Sequence, residues 1–154
     1  MKRFLLVSLI LTVLVSACGT TELQGESGKK DLVVTIYKSP TWGCCGGWTS
    51  YLEKDGYTIK TKNLDSLDEI KKQYQVPTEL QTCHTAIVDG YVVEGHVPIL
   101  EIERLLKERP DVIGIAVAGM PAGSPGMTIE GSDSEPFDVV TFDQNGSIEI
   151  YSSY

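Results

Sequence analysis

Positive charge is scarce in this chain. Its 154 residues carry 13 Lys and Arg against 21 Asp and Glu, a net charge of −8, and the cations form no cluster. Nucleic acid and anionic lipid surfaces attract proteins through grouped Lys and Arg, so both are excluded as electrostatic partners. Cysteine is sparse as well. There are four, and no two of them stand in a Cys-x-x-Cys pair. That spacing closes a relaxed disulfide across a helical turn, so its absence argues against an ordinary dithiol oxidoreductase. No internal repeat is present, and no low-complexity tract beyond a short polar stretch near the N-terminus. The remaining chain, roughly 120 residues, is enough for one compact domain and not two.

The N-terminus does have an apolar run. Lys2 and Arg3 precede Phe4 to Val15, which is the layout of an export signal and is short for a stable membrane span. It ends in Val15-Ser16-Ala17-Cys18, which resembles the lipobox of bacterial lipoproteins. The expectation is a signal peptide over 1–17, with Cys18 as the lipidated N-terminus and residues 18–30 as a flexible tether. The folded domain would then span 31–154. Loss of the two signal-peptide cations lowers the net charge from −8 to −10. Any membrane attachment should therefore come from the Cys18 lipid, in a periplasmic or outer-membrane lipoprotein of a bacterial envelope.

Beyond the tether, Leu32 to Lys38 is β-branched and apolar and predicts a strand. Trp48, Tyr51 and Leu52 mark one face of a helix that ends near Gly56. Tyr57, Ile59 and Thr61 alternate with polar neighbours, predicting a second strand. Ser66 with Glu69 reads as a capping box for a helix with Leu67, Ile70 and Tyr74 on one face, ended by Val76-Pro77. Asp89-Gly90 joins two apolar runs as a hairpin. Pro98 opens a helix with an apolar stripe of Ile99, Ile102, Leu105 and Leu106, closed by Pro110. This β-α-β-α-β-β-α order is that of a thioredoxin-like α/β core. After it come a further strand in 112–117, a Gly-, Pro- and Ser-rich loop, and a last hairpin around Asp143 to Gly146.

The chemistry concentrates in Ser39-Pro-Thr-Trp-Gly-Cys-Cys-Gly-Gly-Trp48. Cys44 and Cys45 fall at a helix start, where free amides and the helix dipole stabilise a thiolate. The thiolate is both a nucleophile and a soft metal ligand. Adjacent cysteines cannot close an unstrained disulfide with each other. Cys83 directly precedes the third strand, and in a thioredoxin-like core that segment lies against the first helix's N-terminus, so three sulfurs converge. They suit Cu(I), or Zn(II) if His84 or His96 completes a tetrahedron. Met120 and Met127 are further thioether candidates, although with no spacing rule behind them packing filler is the better reading of both. His96, at the end of the hairpin, reads as a cap or brace for the following helix.

The runs Tyr37–Trp48, Val76–Pro98, Ile113–Met127 and Pro136–Ile148 together resemble the CopG-type copper-resistance proteins, the family of domain of unknown function 411. The resemblance implies an exported thioredoxin-like protein that binds copper through cysteine thiolates, with redox exchange between metal-loaded and disulfide states. The first family motif is Cys-x-Cys-Cys, and its leading cysteine falls on Trp42 here. Its other two carry over to Cys44 and Cys45, and the later single cysteine to Cys83. The implied site therefore has three thiolates and holds one Cu(I), with the Trp42 indole able to shield it. A copper donor or acceptor protein is the implied partner. Metal binding ranks ahead of enzymatic activity. The competing readings are a thiol–disulfide oxidoreductase using Cys83 with Cys44 or Cys45, and a non-catalytic envelope protein that has lost its metal.

Overall fold

The computed structural model describes residues 32–40, 43–127 and 133–154; the Cys44 side chain lies outside that description. The element order begins β1 (Val33–Lys38), α1 (Cys44–Lys54), β2 (Thr58–Asn63), α2 (Asp68–Gln73) and, after a short 3₁₀ turn at Thr78–Leu80, β3 (His84–Val88). It continues with β4 (Tyr91–Glu94), α3 (Ile99–Glu108), β5 (Gly114–Ala116), β6 (Asp138–Phe142) and β7 (Ile148–Ser153). The anticipated alternation of strands and helices is thus present. The C-terminal hairpin does more than append itself. It pairs through β5 and extends the sheet to seven strands, in the order β2-β1-β3-β4-β5-β6-β7.

β1 pairs parallel with β2, as a strand–helix–strand crossover requires, and antiparallel with β3. One sheet face buries Val34, Ile36, Ala86, Val88, Val93 and Ile115 against Trp48 and Leu52 of α1 and Ile102 and Leu105 of α3. The other face buries Val92, Ala116 and Phe142 against Val76 and Leu80. The strand β2 closes one edge. Lys60 and Lys62 on that edge are exposed, and such charges discourage pairing with another chain.

The capping box expected at Ser66 does not form. The N-cap of α2 is Leu67, with no side-chain cap bond, and Ser66 Oγ instead accepts from the Asp68 amide at 3.1 Å. The first residue of α3, by contrast, is held from another element: the Ile99 amide donates to Tyr51 Oη at 3.2 Å.

Two features fix the part of the fold that carries the cysteines. Glu94 is fully buried yet receives Lys71 Nζ at 2.5 Å, the Thr82 amide at 2.6 Å and the Thr85 hydroxyl at 2.7 Å. Thr82 and Thr85 bracket Cys83 and His84, so this charged network anchors their backbone on both sides. The second feature is the loop after β5, which lies over the first turns of α1. A Cβ on Gly47 would meet the Gly126 carbonyl oxygen at 2.6 Å, and Gly126 itself has φ +80°. Only glycine at both positions allows this approach.

Three outcomes are expected. Lys71→Met strands a buried carboxylate and should cost about 3–5 kcal/mol in chemical denaturation. Gly47→Ala should cost about 1–3 kcal/mol by overpacking. Gly46→Ala, with open space around it, should instead stabilise the helix by about 0.5–1 kcal/mol.

Candidate metal centre

Strand register assembles the site. In the β1–β3 pairing Lys38 lies opposite His84, so the end of β1, from which the chain turns into α1, sits beside the start of β3. Cys45 in the first turn of α1 thereby meets Cys83, which immediately precedes β3. Their sulfurs lie 2.8 Å apart although 38 positions separate them in sequence. Cys45 is fully buried and Cys83 retains 6% of its exposure. A disulfide would hold the sulfurs at about 2.05 Å, so the two are paired here as thiols.

His84, the first residue of β3, places Nδ1 3.4 Å from Cys83 Sγ. One ligand atom from each of Cys45, Cys83 and His84 falls within 4.8 Å of the others, and all three residues are buried. The His84 ring stacks on Trp48 with centroids 4.6 Å apart. Trp48 is itself fixed by donating Nε1–H to the Val97 carbonyl at 2.9 Å. His84 Nε2 is buried and has no hydrogen-bond partner among the described residues. Two buried thiols with an imidazole nitrogen beside them are the donor chemistry that a thiophilic or borderline cation satisfies.

His96 is a correction to the sequence reading. It is not the cap of the helix after it, whose N-cap is Pro98 with no side-chain cap bond. Its Nδ1 instead donates to the Pro125 carbonyl at 2.8 Å, and its Nε2 lies 4.0 Å from Cys83 Sγ. Burial of the ring and the neighbouring His84 hold its pKa below the usual imidazole value, outweighing the opposing pull of the Pro125 carbonyl and Cys45. The neutral ring keeps a lone pair on Nε2. A signal for this position did exist in the sequence. The Asp89-Gly90 hairpin pairs Thr85 with Glu94, and two further steps along both strands set Cys83 opposite His96.

Cys44, a further expected ligand, is the first residue of α1; its side chain lies outside the described residues, as do Trp42 and Cys18 altogether. Met120 lines a cleft of about 410 Å³ together with Cys83, Asp65, Asp68 and Lys71. This cleft is where Cys83 approaches the surface. Met127 does not line it; its amide donates to the Ser124 carbonyl at 2.8 Å in the covering loop.

The family described as a protein of unknown function, DUF411, matches residues 80–127, the segment holding Cys83, His84, His96 and Met120. No curated protein matches the chain. Two solved structures do, both of a copper resistance protein, CopG. Its form 2 is 35% identical with a TM-score of 0.75, covering 80% of this chain and 98% of that one. Its form 1 is 34% identical with a TM-score of 0.74, covering 79% and 96%. Likeness of this extent places the chain in the DUF411 family of CopG-type proteins.

Proposed function

We propose that this is an extracytoplasmic, lipid-anchored protein with a single thioredoxin-like domain, which binds Cu(I) through cysteine thiolates and buffers it or hands it on. The observation that carries the reading is the convergence of Cys45 and Cys83, buried, at 2.8 Å, with His84 Nδ1 3.4 Å from Cys83 Sγ. The name of the matched structures, copper resistance protein, supports copper as the cargo. The strand order β2-β1-β3-β4, with a parallel crossover between β1 and β2, supports the thioredoxin-like assignment.

The chemistry is a consequence of burial. A thiolate away from water is costly unless a cation compensates it. Cu(I) is thiophilic, weakly hydrated by hard ligands and satisfied by two or three sulfurs. Two sulfurs sharing one ion with bonds near 2.3 Å would sit about 3.8–4.6 Å apart, so loading draws the 2.8 Å pair open. Both thiols release their protons as it does so. Cys45 and Cys83 are the central ligands, Cys44 at the helix start the third sulfur, and His84 the nitrogen donor. Met120 offers a thioether on the wall of the cleft, through which a donor or acceptor protein would exchange the ion.

The short separation of the sulfurs also favours a second reading, a thiol–disulfide oxidoreductase. In that reaction Cys45 and Cys83 give up two protons and two electrons to a disulfide-bonded partner, which leaves as its dithiol. Mapping of a native Cys45–Cys83 disulfide together with reductase activity, and no metal uptake, would select it.

Reduced protein challenged with a chromophoric Cu(I) chelator should withdraw one equivalent of Cu(I). Cys45→Ser or Cys83→Ser should weaken binding by more than about 100-fold, since even outer partners of a metal site cost 10–100-fold. His84→Ala should be milder, at about 10-fold. Wild-type protein that withdraws no copper would refute the proposal. Lipid anchoring has its own check. Cys18→Ser should abolish fatty-acid labelling and move the protein from the membrane fraction to the soluble one, whereas retention without label would contradict the lipobox reading.

A further inference from the structure

We infer that the buried Lys71–Glu94 ion pair is a positioning device for Cys83, kept for ion affinity rather than for the stability of the fold. The inference rests on the Cu(I)-binding reading above and names what holds one of its central ligands in place.

The need arises where the sheet stops. The register with β1 ends at Lys38 opposite His84, and the register with β4 ends at Glu94 opposite Thr85. Cys83 therefore precedes both ladders, while Cys45 is carried within the first turn of α1. A ligand that must hold its place as the sulfurs separate needs another anchor. Glu94 supplies it from the last paired position of β4. Its Oε1 accepts the Thr82 amide at 2.6 Å and the Thr82 hydroxyl at 2.9 Å, and its Oε2 accepts the Thr85 hydroxyl at 2.7 Å. One carboxylate thus grips the chain on either side of Cys83 and His84, through charge-assisted bonds that take over where the ladder ends.

Lys71 compensates that carboxylate. Its ammonium lies 2.5 Å from Glu94 Oε1 and 3.1 Å from the Thr85 hydroxyl oxygen. Lys71 also lines the cleft that Cys83 and Met120 line, so the pair stands in the wall beside the ligand. Stability alone gives little reason for it. Apolar residues of similar volume in place of a buried ion pair are often neutral or stabilising. What an apolar pair cannot do is accept the Thr82 amide. The geometry therefore ties the pair to the placing of Cys83, and through Cys83 to the ion.

The test compares full-length reduced variants in which no buried charge is left unpaired. Lys71→Met with Glu94→Leu removes the grip, and Lys71→Met with Glu94→Gln keeps an oxygen for the Thr82 amide. In the ion-free protein, hydrogen exchange at the Thr82 amide should quicken by about 10-fold or more with Leu and by much less with Gln. Cu(I) affinity, read against a chromophoric chelator, should fall by about 10–100-fold with Leu, as for other outer partners of a metal site. Gln should recover most of that loss. Ile102→Val lowers core stability without touching the network, and should bind copper as the wild type does. If the Leu variant fails to fold, Thr82→Val removes only the hydroxyl ties, with an expected loss of about 3–10-fold. A folded Leu variant or a Thr82→Val protein with wild-type affinity would overturn the inference, as would a Gln variant that binds no better than Leu. Wild-type protein that binds no Cu(I) would instead defeat the ion-binding reading, and this inference with it.

Discussion

The pairing of β3 with strands on both sides is the constraint on which the site depends. On one flank, the β1 register sets Lys38 opposite His84 and delivers the start of α1, with Cys45, to Cys83. On the other, the β4 register sets Thr85 opposite Glu94 and carries His96 alongside Cys83. A slip of one residue in either ladder would turn each side chain to the opposite sheet face and disperse the donors. The donors are therefore positioned by backbone hydrogen bonding of the sheet, and only the turns into α1 and out of β4 need special residues. Gly47 and Gly95 mark two such places, where the covering loop or the neighbouring strand leaves no room for a Cβ.

The same region concentrates the polar groups that the fold must bury. Glu94 is inaccessible to solvent and would be costly alone, but Lys71, Thr82 and Thr85 satisfy it. The thiol pair and the two imidazoles lie just beyond, and there compensation is incomplete: His84 Nε2 has no partner among the described residues. Polar groups on one side of the Cys83–His84 segment are thus saturated, while on the other two buried thiols and two buried imidazoles gather soft donors. That asymmetry is what a binding site for a cation looks like when the scaffold around it is rigid. Trp48 adds to the rigidity by holding His84 from the helix side.

Much of this was readable in the sequence, for identifiable reasons. The order of the core elements comes from local patterning, and the convergence of Cys45 with Cys83 comes from that order. The apolar stripe of α3 is buried as its spacing implied, with Ile102 and Leu105 fully inaccessible. Other features depend on non-local pairing and left no local trace. Lys71 reads as an ordinary solvated helix residue, and nothing near it in sequence announces Glu94. The joining of the terminal hairpin to β5, which makes one seven-stranded sheet, likewise needs the tertiary structure. The capping box at Ser66 failed because the helix starts one residue later than a Ser66 cap requires. His96 is the instructive case. Its hairpin was legible, but its place beside Cys83 emerges only when the register is carried past the last paired residues.

Sulfur from two distant segments and nitrogen from the hairpin are taken to form one ion site. Anaerobic Cu(I) titration followed by copper-edge X-ray absorption tests this most directly, because the shell of neighbours identifies the donors. The expected result is saturation at one Cu(I) per chain, with two or three sulfurs near 2.3 Å, on the order of a usual metal–thiolate bond, and a nitrogen contribution. A protein that binds no copper and carries a Cys45–Cys83 disulfide, or one whose bound copper has no sulfur neighbour, would contradict it.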